Sequence, residues 1–232
     1  MNTVSHAQLA LDFDHRPSLS GDDFLVAASN AAAVAWLDRW PDWPAPGLII
    51  HGPGGCGKSH LVEAFRARSG AVPMTAEMLR SGNAVSGVAE ARAWVVDDAD
   101  HIVASLPETA LLHTFNAVAE IGGHILMTAA APPGRWGIAL PDLSSRLNAL
   151  PTAGIGRPDD ELIEAVLIKH FADRQLRVDG DVLSYVTARM ERSFAEARRL
   201  VAAVDAAALA ERRNITVPLV RQVLDSMGAT TD

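Results

Sequence analysis

Gly52-Pro53-Gly54-Gly55-Cys56-Gly57-Lys58-Ser59 is the stretch whose reading decides the fold. It fits G-x-x-x-x-G-K-[ST], directly after a short apolar run over 48–51 and before a helical pattern from Ser59 to Arg68. The chemistry needs that order. Glycines let the backbone curl so that successive N–H groups face phosphate oxygens, and the helix start adds partial positive charge. Lys58 is placed to reach the β- and γ-phosphates, and the Ser59 hydroxyl to ligate magnesium. The predicted cofactor-binding stretch is Gly52, Pro53, Gly54, Gly55, Cys56, Gly57, Lys58, Ser59 and His60, with ADP or ATP and magnesium as ligands. Gly52, Gly54 and Gly57 also satisfy the dinucleotide pattern G-x-G-x-x-G, and Glu77 stands twenty residues beyond Gly57 where that fold has its ribose acid. The Lys-Ser pair has no task in the dinucleotide reading, and an acidic strand end follows later, so the phosphate loop is preferred.

That acidic strand end is Ala93-Trp-Val-Val-Asp97-Asp98. Behind a phosphate loop, Asp97 is expected to hold magnesium, usually through water, and Asp98 to orient an attacking water. Asp100 reads as a helix-starting or surface acid. Further on, Leu143-Ser-Ser-Arg146 places an arginine after Pro141-Asp142. Such a group can stabilise transition-state charge on a neighbouring molecule's nucleotide; by spacing alone the surface helix residue is the favoured reading.

Around these motifs, short apolar runs at 48–51, 71–74, 93–96 and 125–128 alternate with helical patterns, which predicts an α/β fold with a parallel sheet. Ser29 and Asn30 precede an Ala-rich helix ending near Trp40, and 40–47 reads as a loop. After Gly156 the pattern turns all-helical: helices over 158–172 and 181–191, a third from Ser193 to about Arg213, and a last one after Thr216. Ser193 and Glu196 form a capping-box pattern at the start of the third. The expected organisation is a flexible tail over 1–20, an α/β nucleotide-binding core over 21–156, and a small helical lid over 157–232.

The 232 residues are 49% hydrophobic and 21% charged, within the ordinary globular range. No stretch approaches a membrane span, and the first fifteen residues carry no Lys or Arg and no apolar run of signal type. No membrane partner is expected, and the location is expected to be cytoplasmic. A formal net charge of -8 argues against direct, charge-driven DNA binding, so no sequence-specific DNA contact is expected. The single cysteine, Cys56, allows no intrachain disulfide and reads as a small residue tolerated in a tight loop. His51, His60, His113 and His170 have no metal-ligand spacing. Trp36, Trp40 and Trp43 are read as core packing.

Phe24-Leu-Val-Ala-Ala-Ser29-Asn30, the loop ending Gly-Lys58-Ser59-His60-Leu, Asp97-Asp98 and Leu-Ser-Ser-Arg146 together resemble the AAA+ core of the DnaA replication-initiator family. The resemblance runs from about Asp23 to Ser226 and stops short of that family's DNA-binding domain, which is similar to the shortened, Hda-type homologues. It implies an AAA+ P-loop NTPase core followed by a helical lid, with Arg146 in the position of the family's arginine finger. Gln8-Leu9-Ala10-Leu11-Asp12-Phe13 resembles the peptide by which Hda-type proteins dock on the polymerase sliding clamp. An extended segment would bury Leu11 and Phe13 in an apolar groove and anchor Gln8 by hydrogen bonds, with Leu9 beside it. The implied role is negative regulation of replication initiation: binding the clamp, engaging ATP-bound DnaA and stimulating its hydrolysis. A helicase loader and a small-molecule P-loop kinase are the alternatives, and a homo-oligomer is left open.

Two positions depart from the family. Ala130 stands where a polar γ-phosphate sensor, usually Asp, is expected, and Ala195 where the lid arginine is expected, with Arg198 and Arg199 one turn later. Weak intrinsic ATP hydrolysis follows as the expectation, with ADP as the working ligand.

Overall fold

The strand cores are apolar on both faces, and that is what a sheet covered by helices on either side requires. A computed structural model describes residues 25–81 and 91–228. In chain order the elements are α1 (Ala31–Asp38), β1 (Gly47–His51), α2 (Lys58–Ser69), β2 (Val72–Pro73), α3 (Ala76–Arg80), β3 (Ala93–Val96), α4 (Ala99–Ser105), α5 (Glu108–Glu120), β4 (His124–Ala129), α6 (Pro141–Asn148), β5 (Thr152–Gly154), α7 (Asp160–Asp173), α8 (Gly180–Thr187), α9 (Phe194–Glu211) and α10 (Val217–Gly228). The five strands are parallel, in the order β2-β3-β4-β1-β5.

Period-two alternation divides the strand side chains between two apolar layers. Ile49, Trp94, Val96, Ile125 and Met127 face one layer, with Val103, Phe115 and Leu143 packed on them. Leu48, Ile50, Val95 and Leu126 face the other, against Leu37, Trp43, Leu61 and Phe65. Trp43 stacks on Phe65 with ring centroids 5.5 Å apart and donates from Nε1 to the Trp36 carbonyl at 2.8 Å. Trp36 and Trp40 lie against the same layer, so the three tryptophans are packing residues as expected. Thr128, on the face shared with Leu126, is fully buried at a position its neighbours fill with apolar groups.

The helical lid has its own interior. Leu167, Phe171, Val186, Leu200, Val204 and Val220 meet between α7, α8, α9 and α10. Asp159 caps α7 by accepting from the Leu162 amide at 2.8 Å.

Several local expectations change. The run 71–74 pairs over only two residues, Val72–Pro73, at the sheet edge where a proline is tolerated. The segment 181–191 is helical only through Thr187, because Met190 turns into the lid interior and Ser193 takes extended backbone to cap α9. Asn30 does not cap α1; its side chain accepts from the Ala27 amide and donates to the Leu25 carbonyl. The capping box is half made. Ser193 Oγ accepts from the Glu196 amide at 3.4 Å, but the Ser193 amide donates to the Glu191 carbonyl and Glu196 pairs with Arg199. β5 was not expected, since Thr152-Ala-Gly154 has no apolar run and exists by pairing with β1.

Candidate functional site

Parallel register brings the motifs together. Val96 lies opposite Met127, so the next residue, Asp97, falls beside Thr128; Ile50 is opposite Thr128 from the other side. β4 thus stands between the strand that feeds the phosphate loop and the strand that ends in the acidic pair. The Gly52 amide donates to the Ala129 carbonyl at 3.1 Å, which ties the start of the loop to β4.

The loop has the backbone its glycines imply. Gly55 and Gly57 both have positive φ, +72° and +100°, and α2 starts at Lys58 without any side-chain cap or acid in its first turn. The leading amides of α2 therefore have no carboxylate of their own nearby, and the helix start is available to an anion. Lys58 Nζ donates to the Gly52 carbonyl at 2.8 Å and the Pro53 carbonyl at 3.1 Å, which folds the ammonium over the loop. Cys56 is buried, and burial pushes its thiol above the usual range while the nearby Lys58 charge acts in the opposite sense. The group is a protonated packing residue, not an activated nucleophile.

Across the loop, Ser59 Oγ donates to Asp97 Oδ2 at 3.4 Å, and Thr128 Oγ1 donates to Asp97 Oδ1. The same Thr128 oxygen accepts from the Asp98 amide at 3.0 Å. Asp98 sits in left-handed backbone, φ 51° and ψ 47°, at the start of α4, a conformation aspartate tolerates better than most residues. Asp97 and Asp98 are both exposed at the strand end, while Thr128 is buried beneath them. A buried hydroxyl that both donates and accepts is satisfied, and it fixes the Asp97 carboxylate and the Asp98 backbone together.

Asp100, expected to be a bystander, is engaged. Its Oδ2 accepts from the Ala130 amide at 2.9 Å and its Oδ1 from the His101 amide at 3.1 Å, so α4 is pinned to the end of β4. Thr128 was missed as well, although a lone polar residue within the apolar run 125–129 was the available signal.

The remaining predicted residues lie elsewhere. Arg146 is on α6, well exposed, with its hydrogen bond to Asp142 one turn back at 3.1 Å. His60 is exposed in the first turn of α2. Ala195 is exposed at the start of α9; Arg199 pairs with Glu196 at 3.4 Å, and burial, opposed by Asp173 and aided by the nearby Arg198 charge, lowers the pKa of the His170 imidazole on α7. Gln8, Leu9, Leu11 and Phe13 lie outside the described residues.

A family model described as the lid domain of Hda matches residues 159–224. The chromosomal replication initiator DnaA of Thermomicrobium roseum is 26% identical over 235 residues, spanning 90% of this chain and 50% of that protein. The chain is thus similar to DnaA over most of its length, and to the lid domain of Hda over residues 159–224. It spans about half the length of the DnaA relatives it matches. Domain III of the Thermotoga maritima DnaA superposes with a TM-score of 0.75 at 18% identity, covering 91% of this chain and 97% of that one. A second solved structure, AMPPCP-bound DnaA from Aquifex aeolicus, has a TM-score of 0.65 at 15% identity, over 82% and 66% of the two chains. The fold is that of an AAA+ core with a helical lid.

Proposed function

We propose that this chain binds ADP or ATP with magnesium and regulates replication initiation by docking on the sliding clamp and stimulating ATP hydrolysis by DnaA. The observation that carries the nucleotide reading is the meeting of an uncapped α2 start, Lys58, Ser59 and the Thr128-bound Asp97 at three adjacent strand ends. The loop amides and Lys58 would hold the phosphates. Among the described residues no group of three or more His, Cys, Asp or Glu could hold a metal ion. Magnesium would therefore rest on Ser59 and Asp97, with phosphate oxygens and water filling its remaining positions, a sparse set that suits this ion. The ion's contribution there is to neutralise phosphate charge. Asp98, at the exposed strand end, would orient water. The AMPPCP carried by the Aquifex relative supports the choice of an adenine nucleotide.

The regulatory half of the proposal rests on the Hda-like lid and on the resemblance of Gln8, Leu9, Leu11 and Phe13 to a clamp-docking peptide. Arg146 is exposed on α6 and has only a surface ion pair to break, which suits a group offered to the nucleotide of a neighbouring DnaA molecule. The proposed location is the cytoplasm, and self-association is one route by which Arg146 would meet a nucleotide in trans. Among the described residues no helix is long and apolar enough to cross a membrane.

Mixing the protein with DNA-loaded clamp and ATP-bound DnaA, then measuring phosphate release, tests the whole proposal. Wild type should accelerate release. Gln8→Ala with Leu11→Ala should lose recruitment to the clamp, and Arg146→Ala should lose stimulation while still docking. Full stimulation by the tail double variant would sink the docking claim. A second reading, an ADP-held adaptor that docks without stimulating hydrolysis, is favoured by Ala130 and the exposed Ala195 at the two sensing positions; unchanged stimulation by Arg146→Ala would select it.

A further inference from the structure

The lid touches the phosphate loop through two residues that the proposed function has not used. Ser193 and Phe194, at the start of α9, lie directly on Gly55 and Gly57. The Phe194 amide donates to the Gly55 carbonyl at 3.0 Å. A Cβ built on Gly55 would meet Ser193 Oγ at 2.1 Å and Ser193 Cβ at 3.0 Å; one on Gly57 would meet the Phe194 ring at 3.0 Å. A side chain at Gly55 or Gly57 would run into the lid.

We propose that Ser193 and Phe194 are positioning residues for the phosphate loop, holding it in a phosphate-ready shape before any nucleotide arrives. The inference rests on reading residues 52–59 as the nucleotide site. Three features support it. Phe194 is the first residue of α9, whose amide has no partner inside the helix, so Gly55 supplies an acceptor the helix lacks. Ser193 is itself fixed: it is buried, its amide donates to the Glu191 carbonyl at 2.7 Å, its carbonyl accepts from the Ala197 amide at 3.0 Å, and its Oγ accepts from Glu196. Finally, in a planar trans peptide the N–H points opposite to the C=O. Fastening the Gly55 carbonyl to α9 therefore fixes the direction of the Cys56 N–H, opposite to the lid contact, and a loop that gathers its amides on an anion depends on such directions being held. With Ala195 on the following residue, the lid's polar contact with the loop is made by backbone where a side chain would have been expected.

The test exploits the position of Phe194. Proline is well accepted at the first residue of a helix, and Ser193 has the extended backbone, φ −145° and ψ 133°, that a residue before proline prefers. Phe194→Pro thus deletes the amide donor with little harm to α9, and Phe194→Ala removes the same ring while keeping the donor. Calorimetric binding of Mg-ADP to stripped protein should weaken about 3–10-fold for Phe194→Pro relative to Phe194→Ala, the range for one ordinary hydrogen bond. Amides 54–59 of the nucleotide-free protein should also exchange faster in the proline variant. Equal affinity and equal exchange in the two variants would overturn the proposal. Absence of Mg-ADP uptake by wild type would remove the nucleotide reading instead, and the exchange comparison then decides the loop contact by itself. Should Phe194→Pro not fold, Gly55→Ala and its combination with Ser193→Gly answer the same question, since glycine is nearly as good a cap as serine. Gly55→Ala carries the strain of a positive φ in both backgrounds, so comparing them isolates the clash: Ser193→Gly should restore part of the lost affinity, and no restoration overturns the contact.

Discussion

The α/β layers and the lid hold their polar groups in different ways. At the strand ends Thr128 is fully buried and bonded to both Asp97 and Asp98, and Asp100 reaches the Ala130 amide. In the lid the charges pair on the surface, Arg192 with Asp160 at 2.6 Å and Lys169 with Asp173 at 3.6 Å, around an apolar interior. Among the described residues Ser193 is the one buried polar residue beyond 156, and it is the residue that meets the phosphate loop. Buried hydrogen bonds fix direction, because a misaligned donor loses most of its worth. Apolar contacts fix only proximity. The difference teaches where orientation matters in this molecule: at the strand ends, and where Ser193 and Phe194 bring the lid onto Gly55 and Gly57.

Four changes and one titration would break or sharpen this contrast. Leu200→Ala, in the lid interior, should cost about 2–5 kcal/mol in denaturant unfolding, with the loss seen first in lid probes. Lys58→Ala should weaken Mg-ADP binding about 100-fold, as expected for losing charge-assisted bonds worth about 1.5–3 kcal/mol, while leaving the unfolding midpoint of the unliganded protein nearly unchanged. Thr128→Val keeps the shape and removes the hydroxyl. It should cost about 1–3 kcal/mol by stranding the Asp98 amide, and no loss would show that the strand ends do not depend on that bond. Acid gives a smaller effect. Burial holds His51, His124 and His170 below the ordinary imidazole value, so the folded chain binds fewer protons than the unfolded one. Their contribution is complete above about pH 6.5 and is lost as pH falls below it, so the unfolding midpoint should drop between pH 7 and pH 5. Arg192→Ala should have the least effect, with no measurable shift in midpoint, since both partners of its ion pair are exposed.

The legible parts of this site are those written in consecutive residues. Gly52 to Ser59 and Ala93 to Asp98 carry their own chemistry and could be read directly, as could the alternation of strand and helix and the turn to all-helical pattern after Gly156. Thr128 was passed over because its role exists only when β4 lies between β1 and β3; along the chain it is one polar residue in an apolar run. Asp100 looked like a surface acid because nothing local reveals the Ala130 amide beside it. The capping pattern at Ser193 correctly located the start of α9, but said nothing about the loop that the cap would press against.

The order of residues by itself determined the phosphate loop, the acidic strand end, the parallel α/β class and the lid helices, because hydrophobic period and backbone-permissive glycines act over a few neighbouring residues. Tertiary structure alone decided which strand ends became neighbours, which buried hydroxyl holds the Asp97 carboxylate and the Asp98 amide, and which lid residues lie on Gly55 and Gly57. Those contacts join segments far apart in the chain, and their geometry is set by strand register and by the packing of α9, neither of which any local stretch of sequence encodes.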